Sequence, residues 1–319
     1  MSALRKFFRF LTPLLLLSVF FGLLTAPQDC AAAVRDGLTL CAENLVPSLY
    51  PFFVLSSLTV STGWGDALGS GFGRFVCPLF GIPPAGLSAW ALGLVGGYPV
   101  GARTIAELYR TSRISRKDAE RMLGFCCNAG PGFLLGICGA GIFQSLPVGL
   151  CLYGIHVAAA WTVGLLLRPG AGKPVCSGER TAAKQSLLLC FPSAIRASLD
   201  GILQVCALVV FFSVPMRLLR TLPILPPPFR TAGVPAALLN GLLEATGGVL
   251  LLPADASGFC ACAFLLGWGG LSVHMQTLAA LDGCSLSLRF YWFGKTMQAV
   301  FSLLFSVFLA PFLFPCAIP

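Results

Sequence analysis

Charge is what this chain has least of. Only 10% of its 319 residues are Asp, Glu, Lys or Arg, against about 25% in soluble domains, which excludes a water-soluble globule. Acids are the rarer sign, with 12 Asp and Glu against 21 Lys and Arg and a net charge of +9. In a soluble protein that excess would point to nucleic acid. In an apolar chain it is what keeps cytoplasmic loops inside, so no nucleic-acid partner is expected. Histidine is nearly absent: His156 and His274 lie far apart in sequence, and the 14 cysteines form no Cys-x-x-Cys, so neither a metal nor a cofactor is expected. Most cysteines, among them Cys126, Cys127, Cys138 and Cys262, stand in apolar stretches, where a free thiol behaves as a small hydrophobe. Enzyme signatures are missing as well. There is no His-Glu-x-x-His, no Gly-x-Ser-x-Gly and no nucleotide-binding loop, and the chain is not read as an enzyme. The longest polar segment, 168–184, leaves no soluble domain for a scaffold.

What is abundant is apolar surface, with 56% hydrophobic residues and a mean hydropathy of +0.85. This is the composition of an integral membrane protein. A spanning helix needs about 20 apolar residues, and 10–26, 46–62, 144–167, 198–216 and 290–314 are expected to form such helices. Three further regions, 75–102, 122–143 and 233–282, are apolar but full of Gly and Pro. The N-terminus imitates a signal peptide, with Arg5, Lys6 and Arg9 before an apolar core and a possible cleavage site in "LTAPQDCAAA". A lipoprotein box would place a small residue before Cys30, where Asp29 stands. An uncleaved, signal-anchor-like helix within 1–30 is therefore expected.

The basic segments 103–121 and 168–184 place the cytoplasmic loops. With the N-terminus on the same side, 10–26 goes out and 46–62 returns, so that Arg74 and Arg103 share a face. The stretch 75–102 then enters and leaves by that face as a re-entrant hairpin or pair of short helices, while 122–143 crosses outward and 144–167 crosses back. Non-helical backbone at membrane depth is tolerated only against protein or a watery cavity. Gly93, Gly96, Gly97, Pro99 and Gly101 thus let backbone approach backbone there.

The two halves echo each other. "AVRDGLTLCAENLVPSLYPFFVLSSL" (33–58) resembles "AIRASLDGILQVCALVVFFSVPMRLL" (194–219), and glycine-rich segments follow in the same order, 91–102 and 125–139 against 238–251 and 264–281. Because the unit starts outside in the first half and inside in the second, the repeat is inverted, the build of many secondary transporters. The expected fold is all-α and polytopic, with two inverted repeats (31–167 and 191–319) joined by a cytoplasmic linker (168–190), each containing a re-entrant hairpin and a broken helix.

The stretches "VPSLYPFFVLSSL" (46–58), "GGYPVGARTIAELY" (96–109), "RMLGFCCNAGPGFLLGICGAGIF" (121–143), and "GLLEATGG" with "LLGWGGLSVHMQ" (241–276) resemble the YlbJ-type sporulation integral membrane proteins, a group with nucleoside-recognition Gate-type repeats. The family typically carries a serine-glycine-tyrosine-proline element and a lysine shortly after it; here Gly96 replaces the serine and Arg103 the lysine. The resemblance implies an endospore-forming bacterium, a place in the outer forespore membrane, and transport of the small aromatic dianion dipicolinate during spore maturation. Nucleosides or another polar solute are the alternative cargo, and a structural role in the spore envelope is the alternative without transport.

The expected site gathers Gly97, Tyr98, Pro99, Gly101, Arg103, Asn128, Gly130, Pro131, Ser272 and Gln276 around an organic anion, with Glu244, Thr246 and Gly247 in coupling to a proton or cation, or in gating. Arg103 would set the sign of the field; read plainly, it anchors the interface or pairs with Glu107 four residues on. Glu244 is an acid inside "NGLLEATGGVLLL", and such residues mark cavities or partners. Ser272 and Gln276 share a helix face, which inter-helix hydrogen bonding explains equally well, whereas His274 points away as a packed or lipid-interface residue.

Overall fold

The lead-in "AVRDGLTLCAENL" places Ala33, Gly37, Cys41 and Leu45 at four-residue steps, and all four are buried. That stripe makes it one run with the apolar segment that follows. In the computed structural model, which describes residues 13–14, 16–17, 19–62, 73–170, 186–221 and 226–315, α1 (Pro27–Leu40) passes through a π-helical turn (Cys41–Leu45) into α2 (Val46–Ser61) without a loop. The span expected at 46–62 therefore begins earlier, and its apolar, membrane-length part is Pro27–Leu55. The expected 10–26 helix is helical at its described residues, 13–14, 16–17 and 19–25; its remainder lies outside them.

The helix α3 (Gly73–Phe80) and the run Pro84–Val95, whose α-helical part is α4 (Leu87–Val95), meet at a bend of 102°. After the Gly96–Pro99 break come α5 (Val100–Arg110) and α6 (Arg116–Met122). The region expected to cross as 122–143 does not form one long helix. Residues 123–130 are irregular, and the π-helical Gly132–Ile142 has only 11 residues, about 16 Å even at an α-helical rise. Gly130 and Pro131 explain the interruption, since neither sustains a helix interior. A full-length α7 (Leu146–Leu166) follows, capped by the Ser145 hydroxyl.

The second half opens with α8 (Leu187–Thr221), 35 residues long. Then α9 (Val234–Leu243) breaks at Glu244 into the short α10 (Ala245–Val249), and α11 (Ala256–Trp268) breaks at Gly269 into α12 (Gly270–Ala280), before the long α13 (Arg289–Leu313). Gly269 and Gly270 carry φ of +92° and +77°, a conformation open to glycine and costly for other residues. Each half thus opens and closes on a long helix, with interrupted helices between them. Most of the expected linker, 171–185, lies outside the described residues.

Five helices are long and apolar enough to cross a membrane, six if the bent pair is one span, and among the described residues there is no strand. The molecule is an all-helical, polytopic membrane protein. The long helices of the two halves pack on each other, α1 and α2 against α8 and α7 against α13, with α11 wedged beside α13. Ser213 of α8 donates to the Ala33 carbonyl at 2.8 Å. Leu304, Val307, Phe308 and Phe312 of α13 stay exposed, an apolar face that a bilayer would cover.

Candidate functional site

Four helix interruptions converge at the centre of the fold. The first is the Gly96–Pro99 turn, where Gly97 has φ +73° and the Tyr98–Pro99 bond is cis. A Cβ on Gly97 would stand 2.8 Å from the Gly130 amide nitrogen, so the first two breaks touch backbone to backbone. Gly93 and Gly101 flank the turn, and a Cβ on either would land on the Cys126 carbonyl oxygen. The glycines of this stretch are thus a seat for the segment 126–130.

Lys295 reaches into that seat from α13. Its side chain is fully buried, and Nζ donates to the Tyr98 hydroxyl at 2.5 Å, the Gln298 Oε1 at 2.8 Å and the Cys127 carbonyl at 3.2 Å. It also stands 4.9 Å from the centre of the Tyr98 ring, within cation–π range. Gln298 passes the network on: its Nε2 donates to Asn128 Oδ1 at 2.9 Å and lies 3.2 Å from His156 Nε2, which accepts from the Ala129 amide at 3.0 Å. Asn128 donates to the Phe125 carbonyl. The irregular segment is therefore tied to α7 and α13 by side chains instead of by a helical ladder.

Across from this network, Glu244 terminates α9 and caps α10. Its two carboxylate oxygens accept from the amides of Thr246 (2.9 Å) and Gly247 (2.5 Å), and the side chain is buried. Neither Lys295 nor Glu244 has an ion-pair partner among the described residues. Between them lies a cavity of about 50 Å³ bordered by Gly97, Tyr98, Gly130, Glu244, Thr246 and Gln276, with apolar walls from Leu45, Leu49, Phe133, Val205, Val209, Leu266 and Val273. That volume holds a few waters, so a larger solute needs the walls to part. A wider depression of about 650 Å³ is lined by Glu43, Asn44, Ser48, Gly136 and Gly141.

Of the expected site residues, Gly97, Tyr98, Gly130, Glu244, Thr246 and Gln276 border one cavity. Asn128 belongs to the Lys295 network behind it, Gly101 seats Cys126, and Pro131 starts the π-helical segment. The Gly247 amide holds Glu244. Ser272 is buried without lining the cavity.

Arg103 departs from expectation. It turns away from the cavity toward α8, where its guanidinium donates to Gln204 Oε1 at 2.9 Å and the Ala197 carbonyl at 3.3 Å, and its hydrogen-bond partner is not Glu107. The amphipathic α5 explains this. Its Gly101, Ala102, Ile105 and Ala106 are buried, which leaves Arg103 on a flank facing the neighbouring helix. His274 takes the packed one of its two expected settings. It is buried, its Nδ1 lies 2.7 Å from Tyr291 Oη on α13, and Trp268 and Trp292 pack on its ring.

Lys295, Gln298 and His156 are absent from the expected site. The signal that singles out Glu244, an ionisable residue inside an apolar span, also applies to Lys295 in "RFYWFGKTMQAVFSLL". Its position near the start of the span, soon after Arg289, makes it resemble an interfacial anchor.

Compared with curated proteins, the chain is 29% identical over 335 residues to the "Sporulation integral membrane protein YlbJ" of Bacillus subtilis (strain 168), an alignment that covers 92% of this chain and 82% of that protein. No family profile matches the chain. No solved structure matches it.

Proposed function

We propose that the chain, 29% identical to a sporulation integral membrane protein YlbJ, shares that multi-pass membrane role in sporulation and acts within it as a secondary transporter of a small organic anion, dipicolinate by resemblance. The observation that carries the reading is the meeting of four helix interruptions at one buried cavity, with an unpaired cation on one side and an unpaired acid on the other. A purely structural span gains nothing from such an arrangement. Secondary transporters use it, because interrupted helices bring backbone polar groups and hinges to midmembrane depth. Halves that each open and close on a long helix fit two inverted repeats that rock against each other, alternately opening the cavity to either side. The bent pair α3 and α4 fits a re-entrant hairpin in the first of them.

The walls favour an anion with a flat, apolar body over a nucleoside. A ribose asks for several hydrogen-bonding partners, and most of the cavity's border consists of aliphatic and aromatic side chains. Glu244 is placed to carry the coupling proton or cation, since it shares the cavity with the cargo and holds the start of α10.

The experiment is uptake of labelled dipicolinate into proteoliposomes containing the full chain, under proton and sodium gradients, with a labelled nucleoside in parallel. Saturable dipicolinate uptake is expected, and Glu244→Gln should remove its dependence on the driving gradient. Uptake of the nucleoside alone would transfer the assignment to polar solutes. No uptake of either by folded protein would refute transport and favour a structural role in the envelope.

A further inference from the structure

Among the described residues no anion faces Lys295. It is fully buried in a spanning helix, and the three oxygens around Nζ belong to a hydroxyl, a carbonyl and an amide. Removing an ammonium from water costs several kcal/mol unless an anion faces it, and a cation at membrane depth marks a ligand path by default. Glu244 does not fill that role in this conformation: it makes no ion pair with Lys295, and its oxygens accept from the Thr246 and Gly247 amides instead.

The three acceptors are not equivalent. Cys127 and Gln298 lie behind the cavity, while Tyr98 borders it. Tyr98 is also the weakest acceptor of the three, a phenol oxygen against two carbonyl oxygens, and its own proton goes to the Leu266 carbonyl at 3.4 Å. Its backbone is seated, since Gly97 packs on the Gly130 backbone, so what can move is the side chain. On the far side of the tyrosine stands Gly269, where a Cβ would lie 3.4 Å from the hydroxyl.

The geometry points to Lys295 as the cation that binds a carboxylate of the cargo, with the Tyr98 hydroxyl occupying that carboxylate's place until the cargo arrives. One carboxylate oxygen replaces the tyrosine oxygen on Nζ, the Gln298 and Cys127 contacts stay, and the Tyr98 side chain rotates aside. The ligand class is a planar anion whose carboxylate enters first and whose apolar body lies against Phe133, Val205 and Leu266. The assignment rests on the transporter reading and adds to it a named counter-ion and a gate. It also relieves Arg103 of the charge-setting role, because that guanidinium is committed to Gln204 and Ala197.

The test is equilibrium binding to the purified full chain in nanodiscs, comparing pyridine-2,6-dicarboxylate with its uncharged isostere, pyridine-2,6-dicarboxamide. The wild type should prefer the dicarboxylate. Lys295→Gln should weaken dicarboxylate binding by about 30-fold or more, the scale of removing one partner from a buried charge contact, and weaken the diamide, which loses only a neutral hydrogen bond, far less. Tyr98→Phe should tighten dicarboxylate binding several-fold by removing the competing oxygen, and Arg103→Gln should leave it within about 3-fold. Equal losses for both ligands in Lys295→Gln would mean a structural lysine and overturn the proposal. If that variant does not fold, Tyr98→Phe decides, and an unchanged dicarboxylate-to-diamide ratio there overturns it. Wild-type protein that binds and transports the dicarboxylate while Lys295→Gln does so equally well refutes the counter-ion alone. Wild-type protein that binds neither ligand refutes the transporter reading with it.

Discussion

Adding one methyl group at Gly101 tests the close approach on which the whole site is built. A Cβ there would fall on the Cys126 carbonyl oxygen, nearer than any real contact, and also 3.1 Å from the Cα of Gly93. Both obstacles are backbone, so no rotamer change relieves them. Overpacking of this kind costs about 1–3 kcal/mol. Pushing Cys126 outward also drags Cys127 and Asn128 from Lys295 and Gln298, and one buried hydrogen bond lost adds about 1–3 kcal/mol. Against this, Ala gains about 1 kcal/mol over Gly in helical backbone. Gly101→Ala should therefore destabilise the protein by about 1–5 kcal/mol. Gly154 in α7 is the control, because a Cβ there meets nothing within 4 Å, and Gly154→Ala should stabilise by about 0.4–1 kcal/mol. Both variants are measured by reversible denaturant unfolding in the same micelle. If Gly101→Ala gained stability as Gly154→Ala does, the packing of the Gly96–Pro99 turn on 126–130 would be refuted.

Two smaller perturbations read local devices. Asp255 caps α11 through the Ser257 hydroxyl and the Gly258 amide, contacts that hold its carboxyl below the usual aspartate range; Asp255→Ala should cost about 1 kcal/mol at neutral pH. Because the folded-state value is the lower one, the cap's contribution is complete above the ordinary aspartate pKa and fades as pH falls through the depressed value, so wild type and variant should converge in acid unfolding titrations. Glu244→Ala should destabilise by about 1–3 kcal/mol by stranding the Thr246 and Gly247 amides, while Glu244→Gln, which keeps one acceptor, should lose less; equal losses would show that the amides are satisfied otherwise.

Much of this fold is legible because interruptions inside apolar runs are rare and chemically loud. The glycines and proline of 93–101 and the acid at 244 each stand alone in apolar surroundings, and each marks a break that borders the cavity. The length of the first span is less legible. Glu43 and Asn44 look like the end of a loop, yet they belong to a π-helical turn whose other face is buried, and only the four-residue step Ala33, Gly37, Cys41, Leu45 reveals it. Arg103 and Lys295 are exchanged for a related reason. A sequence shows that a cation lies beside a glycine-rich break, but that Arg103 is taken up by Gln204 and Ala197 of α8 depends on partners about 100 residues away. The Asn128–Gln298–His156 contacts join three separate segments, and no local spacing encodes them.

The length of α8 has a consequence for depth. Its 35 residues extend about 52 Å, well beyond a hydrocarbon layer of about 30 Å. Arg196 and Arg217, both on this helix, lie about 32 Å apart along its axis, a separation that lets each rest in a headgroup layer. Val205 and Val209 border the cavity from the same helix, about 12–14 Å from the nearer arginine. The helix is long enough to serve as a ruler across the membrane, and the two cavity-lining valines fall midway between those two arginines.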